Sequence, residues 1–175
     1  MPTRHGKQDE RIVQMSSEKF ATARFLGGMA FEAEAGSGHR LVMDTSEDDG
    51  GQNRGFSPME VPLIALLGCT GMDAISTLRK MRQDVTGYEL RGHGIRAETH
   101  PKVFVNIEVE HVFTGHHLAP ESVRRAVDLS ATRYCSVGGM LKTTAKISHA
   151  ITLVDAGTGE RTTVEPVVVE ETISA

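Results

Sequence analysis

Only two cysteines occur in the 175 residues, Cys69 and Cys135, and each falls in a stretch that reads as helix: PMEVPLIALLGCTGMDAISTLRKMRQ and PESVRRAVDLSATRYCSVGGM. A structural disulfide usually staples the loops of a small secreted domain. Two widely separated thiols on apolar helices can instead meet as a reactive thiol and a resolving partner. Buried cysteine also serves as a small core residue, and these positions suit that use equally well. Among the eight histidines, His116 and His117 are adjacent in a turn, and His111 and His149 lie on separate strands. No Cys/His cluster has ligand spacing, so neither a metal nor a cofactor is expected.

The chain that positions these thiols is long enough for one domain with a sizeable core. The net charge is -4, from 19 Lys+Arg against 23 Asp+Glu, with the two signs interleaved. The basic stripe of a nucleic-acid binder is missing, which favours small-molecule or protein partners. No uninterrupted 18-residue apolar run is present, and MPTRHGKQDERIVQ has charges with no apolar signal region after it, so neither a membrane span nor a secretory peptide is expected. The expected compartment is the cytoplasm, where both cysteines rest as thiols and a disulfide between them is transient. Eight methionines, no tryptophan and 5% aromatics call for a core of aliphatic and small side chains.

Residues 1–10 read as a loose tail, 11–155 as a single domain and 156–175 as an edge strand or tail interrupted by Pro166. A short β-prone stretch runs from Arg11 to Met15, a second reaches Ala35, and HRLVMD follows the turn at Gly36-Ser37-Gly38. Thr45 to Phe56 is an exposed loop. Ser57 and Pro58 supply an N-cap and a first-turn proline for a helix that is apolar on nearly every face, and such a helix must be buried all round. Tyr88–Glu98 and Val103–Phe113 alternate with period two on either side of His100-Pro101-Lys102 and form a hairpin. A second helix and a strand over Lys146–Asp155 complete an α+β order of antiparallel sheet and two helices. One sheet of about six strands covers one face of the first helix, so a second copy of the chain is expected to cover the other.

Pro58-Met59-Glu60, Ala65-Leu66-Leu67-Gly68-Cys69-Thr70-Gly71-Met72-Asp73, Arg125-Ala126-Val127-Asp128-Leu129-Ser130 and Tyr134-Cys135-Ser136-Val137 follow one another in the order found in one family. Over Gly27–Asp155 the chain resembles the OsmC/Ohr family, the osmotically inducible protein C and organic hydroperoxide resistance proteins. It most resembles an OsmC-like branch. The resemblance implies an intertwined homodimer, with antiparallel sheets wrapped around two central helices and active sites at the interface. It also implies that Cys69 attacks the peroxide as a thiolate and becomes a sulfenic acid. Cys135 then condenses with it, and an external dithiol reductant restores the pair. Sulfenic acid is the first, reversible oxidation step, and a nearby thiol protects it from going further.

Two departures bear on that chemistry. The peroxidase members carry glutamate where this chain has Met59, and arginine after a Gly-Gly pair where Gly27-Gly28 runs into Met29. Without that arginine beside the sulfur and the carboxylate that holds it, a cysteine on an apolar helix is expected to react slowly. Possible substitutes are Glu60, Arg54, Arg40 and Arg133. Each also has an ordinary reading: a first-turn carboxylate favoured by the helix dipole, and solvated surface arginines. Asp73 lies one turn beyond Cys69 on the same face and reads as a structural cap or partner, because an unpaired anion there would disfavour a thiolate. Two functions follow. One is a thiol-dependent peroxidase acting on small apolar organic hydroperoxides in oxidative stress. The other is a non-peroxidase OsmC-fold dimer that binds an apolar ligand or senses redox state.

Overall fold

The structure is a computed structural model and describes residues 18–169. The predicted strand at Arg11–Met15 lies outside the described residues. The described residues divide into two compact units, parted between Val61 and Pro62.

In the first unit, β1 (Ala21–Gly27), β2 (Ala30–Ala35) and β3 (Arg40–Met43) form an antiparallel meander. Where one strand was expected to reach Ala35, two are present. Gly27 and Gly28 take φ of 99° and 60°, so the chain reverses in a conformation open to glycine and costly for other residues. Oppositely charged side chains face each other across the ladders. Arg24 pairs with Glu32 at 3.8 Å, and Arg40 with Glu32 at 3.7 Å and Glu34 at 2.8 Å. After β3 the loop folds around Asp44, a buried carboxylate that accepts the N–H groups of Thr45, Gln52 and Arg54. These donors, led by Thr45, hold its carboxyl below the usual carboxylate range.

The helix α1 (Glu60–Lys80) starts two residues later than Pro58 suggested. Ser57 caps it with backbone groups. Its N–H donates to Glu60 Oε2 at 2.7 Å, and its carbonyl accepts the Glu60 N–H at 2.9 Å. The most apolar part of α1 has a mean hydropathy of 1.6, enough by length and composition to cross a membrane. The expectation of no membrane span rested on the absence of an unbroken apolar run, which Asp73 divides without lowering the average much. One face of the helix is nevertheless packed. Leu66, Thr70, Ala74 and Leu78, spaced four apart, are buried, and the basic Arg79 and Lys80 complete the last turn.

The second unit continues with β4 (Asp84–Arg96), β5 (Phe104–His116), α2 (Pro120–Leu129), α3 (Ser136–Leu141), β6 (Lys146–Asp155) and β7 (Arg161–Val169). The predicted hairpin is present as the antiparallel β4–β5 pair. The expected single sheet of about six strands is instead two sheets, of three and four strands, and the larger has the order β4-β5-β6-β7. It is not wholly antiparallel, because β5 and β6 run parallel. A parallel pair requires a crossover, and α2 and α3 supply it. Ala74 and Leu78 of α1, Val123 and Val127 of α2, Phe113, Ile151 and Val164 share one buried cluster on the helix-bearing face of this sheet. Two glycines of β4 let α1 lie close. A Cβ at Gly92 would meet Leu67 at 3.2 Å, and one at Gly94 would meet Leu63 at 3.2 Å as well as the Phe104 ring of β5. All-round burial of α1 does not hold within a single chain, since Ile64 and Met72 are exposed.

Candidate functional site

Cys69 follows Leu66 by three residues and precedes the buried Thr70, so it stands at the margin of the packed face of α1, half-buried. Asp73 occupies the next turn on the same side, also partly buried.

Cys135 is not inside a helix as its sequence context suggested. The crossover helix breaks around it. After Leu129 the backbone widens into a π-turn over Ser130–Tyr134, and Cys135 adopts an extended conformation, φ -68° and ψ 102°. The Cys135 N–H still donates to the Ser130 carbonyl at 2.9 Å, closing the wide turn. The residue thereby becomes the N-cap of α3, and its sulfur accepts the Gly138 N–H at 3.3 Å. The neighbouring glycines, Gly138 and Gly139, are poor carriers of a continuous helix, which favours the interruption. Cys135 is 5% exposed, so the two thiols differ in access.

The fold brings both cysteines together with Asp73. The two sulfurs and a carboxylate oxygen of Asp73 all lie within 4.8 Å of one another. Both cysteines are free thiols. Thr70 Oγ1 donates to Cys135 Sγ at 3.4 Å, and Ser130 Oγ reaches both the Thr70 carbonyl, at 3.4 Å, and Asp73 Oδ2, at 3.3 Å. Burial pushes the Cys135 thiol up, the hydroxyl of Thr70 and the Gly138 N–H pull it down, and the adjacent Cys69 raises it further. The site is therefore two thiols of unequal access beside a carboxylate, laced to α1 and the π-turn by two hydroxyls.

The other predicted residues take other places. Glu60 is engaged in the Ser57 cap, and Arg40 in its pairs with Glu32 and Glu34. Arg54 sits in the exposed loop with its N–H on Asp44. The Arg133 guanidinium lies over the ring of Tyr134, 5.8 Å from its centre. Among the described residues of the Pro62–Ala175 unit, neither sulfur accepts a hydrogen bond from a guanidinium. Met59 is half-buried and Met29 exposed in the β1–β2 turn.

Sequence reading included Thr70 and Ser130 in the family segments but gave neither a role at the thiols. It placed His111 and His149 on separate strands, as they are, but did not show that these strands are neighbours. The structure joins them: Tyr88 OH meets His111 Nδ1 at 2.7 Å, and His111 Nε2 meets His149 Nδ1 at 3.0 Å. Both histidines are buried, and burial lowers His111 to about 3 and His149 to about 4. Burial likewise pushes the Tyr88 hydroxyl up. The signal was in the alternation itself, since each histidine occupies an apolar-face position of its strand.

Paired thiols at a helix and a helical crossover, beside an α+β sheet of this topology, define an OsmC/Ohr-type fold. The sequence profile described as OsmC-like protein matches residues 50–150. The chain belongs to the OsmC-like family. Protein YhfA of Escherichia coli (strain K12) is 39% identical to it over 136 residues, which is 78% of this chain and 98% of that protein. A solved structure of a hypothetical protein from Aquifex aeolicus VF5 superposes with a TM-score of 0.67 at 28% identity, over 78% of this chain and 98% of the other. An organic hydroperoxide resistance protein OsmC from Legionella pneumophila superposes with a TM-score of 0.61 over 77% and 96% of the two chains. At 14% identity that likeness is one of fold alone.

Proposed function

We propose that the protein is a thiol-dependent peroxidase that reduces small apolar organic hydroperoxides and works as a cytoplasmic homodimer in oxidative stress. The observation that carries this reading is the unequal pair of free thiols within 4.8 Å. The accessible Cys69 sulfur, as thiolate, attacks the terminal peroxide oxygen. The O–O bond breaks, and the alkoxide leaves as alcohol once protonated. Cys69 is then a sulfenic acid. The Cys135 sulfur attacks it, the S–O bond breaks, water leaves and the disulfide forms. An external dithiol returns both thiols and is oxidised in exchange; no resident cofactor is needed. The short separation favours condensation over further oxidation. Exposed Ile64 and Met72 on α1, and an apolar groove along it lined by Leu67, Ile75, Tyr88 and Leu90, support a second copy covering this helix.

The second reading is an OsmC-fold dimer that binds an apolar ligand or senses redox state. It is favoured by the absence of a guanidinium donor to either sulfur among the described residues of this unit, and by the upward push on Cys135. One experiment separates the two. With cumene hydroperoxide and a dithiol, the wild type is expected to turn over, Cys69→Ser to be inactive, and Cys135→Ser to give one turnover followed by overoxidation of Cys69. A wild type inert with every hydroperoxide and dithiol, yet purified with an apolar ligand, would replace the first reading with the second.

A further inference from the structure

We infer that Cys69, Asp73 and Cys135 form a site for a thiophilic divalent cation, Zn²⁺ in the first instance, with the fourth coordination position left open. Two sulfurs and one carboxylate oxygen within 4.8 Å of one another supply the three protein ligands of an open tetrahedral zinc site. Bond lengths of about 2.3 Å to sulfur and about 2.0–2.2 Å to oxygen place such ligands about 3.5–3.8 Å apart, so side-chain rotation closes the site. Cys69 and Asp73 are four apart on α1, the helical spacing that sets two ligands on one face.

The surrounding groups match those of a metal centre more closely than those of an isolated nucleophile. Ser130 Oγ donates to Asp73 Oδ2, while Thr70 Oγ1 and the Gly138 N–H donate to the Cys135 sulfur. Such outer hydrogen bonds orient ligands and stabilise thiolate. When all three ligands are deprotonated they bring three negative charges together, and no guanidinium donates to either sulfur in the described part of this unit. Two sulfurs and a carboxylate are an anionic donor set that a divalent cation turns into a favourable one. Cys69 and Asp73 are half-buried, and Cys135 is buried beneath them.

Binding releases the thiol protons and ties up both electron pairs that the redox chemistry would use, so metal and peroxide compete for one pair of sulfurs. The site does not depend on the peroxidase reading, because it requires only reduced thiols. The test is a titration of the fully reduced full-length chain, without peroxide, by Zn²⁺ against a chromophoric chelator, and by Co²⁺ with detection of thiolate-to-cobalt charge-transfer absorption. The expected result is one ion per chain, charge-transfer intensity of two thiolates, and loss of reactivity of both cysteines toward a thiol reagent. Asp73→Asn should weaken affinity about tenfold or more, and Cys69→Ser and Cys135→Ser should abolish the two-thiolate spectrum. Wild-type protein that gives no charge-transfer band, or Zn²⁺ affinity unchanged in all three variants, overturns the proposal. The cobalt spectrum of the wild type decides it even where a variant fails to fold.

Discussion

Thr70 follows Cys69 in α1, and its hydroxyl donates to the sulfur of Cys135 at 3.4 Å, so the residue beside one thiol holds the other. Burial raises the Cys135 thiol and this donor opposes the rise. Thr70→Val keeps the shape and removes the donor. Disulfide formation, which needs the Cys135 thiolate, is expected to require higher pH in Thr70→Val than in wild type, and Thr70→Ser to restore the original profile. The stability cost is about 1 kcal/mol. Mass spectrometry of the linked peptide across a pH series checks this, and an unchanged profile would show that the bond is structural only.

Acid should weaken the fold through the histidine pair. Neutral His111 and His149 are held down to about 3 and about 4, while the unfolded chain takes up protons near the ordinary 6.5. Above that value neither residue makes stability depend on pH. Below it the unfolded state binds protons that the folded state refuses, so stability falls with pH, by at most about 1.4 kcal/mol per pH unit for each histidine. Urea midpoints between pH 7.5 and 4.5 should show the slope, and His149→Gln should flatten it. Equal slopes in both proteins would assign the effect to other groups.

Glu60 offers a contrast, because its carboxylate accepts the Ser57 N–H at 2.7 Å. Glu60→Ala should cost about 1 kcal/mol as a lost cap, with the rate of hydroperoxide reduction unaltered. A selective loss of rate with unchanged stability would return Glu60 to the thiols.

The exposed Ile64 and Met72 predict association. Light scattering at micromolar concentration should give twice the 19.0 kDa chain mass, and Met72→Glu should shift the protein toward monomer. A monomeric wild type would remove the argument from the uncovered helix.

Periodicity made α1 and the β4–β5 hairpin legible, because Leu66 to Leu78 repeat with the helix and Val105 to Val109 alternate with the strand. Three features escaped it. The reversal at Gly27-Gly28 adds no polar break, so β1 and β2 read as one strand. The parallel β5–β6 pairing depends on contacts between distant segments, and that register also brings His111 and His149 into contact. Around Cys135, the residues SATRYC are compatible with helix, so the break there leaves no mark in the sequence before Gly138-Gly139. Asp73 was visible at its i+4 spacing. Its place beside both sulfurs is a contact between distant segments, which spacing does not show.

The position of Tyr134 makes the site observable by light. The chain has two tyrosines and no tryptophan, so its native emission is tyrosine alone. Tyr88 is stacked on Phe113 with ring centres 4.0 Å apart and bonded to His111, whereas Tyr134 is half-exposed and directly precedes Cys135. Sulfur in its thiol, disulfide or metal-bound state quenches a neighbouring phenol differently, and no indole masks the change. The unlabelled protein thus carries its own fluorophore one residue from the buried thiol of Cys135, and stopped-flow emission can follow each state of that sulfur in real time.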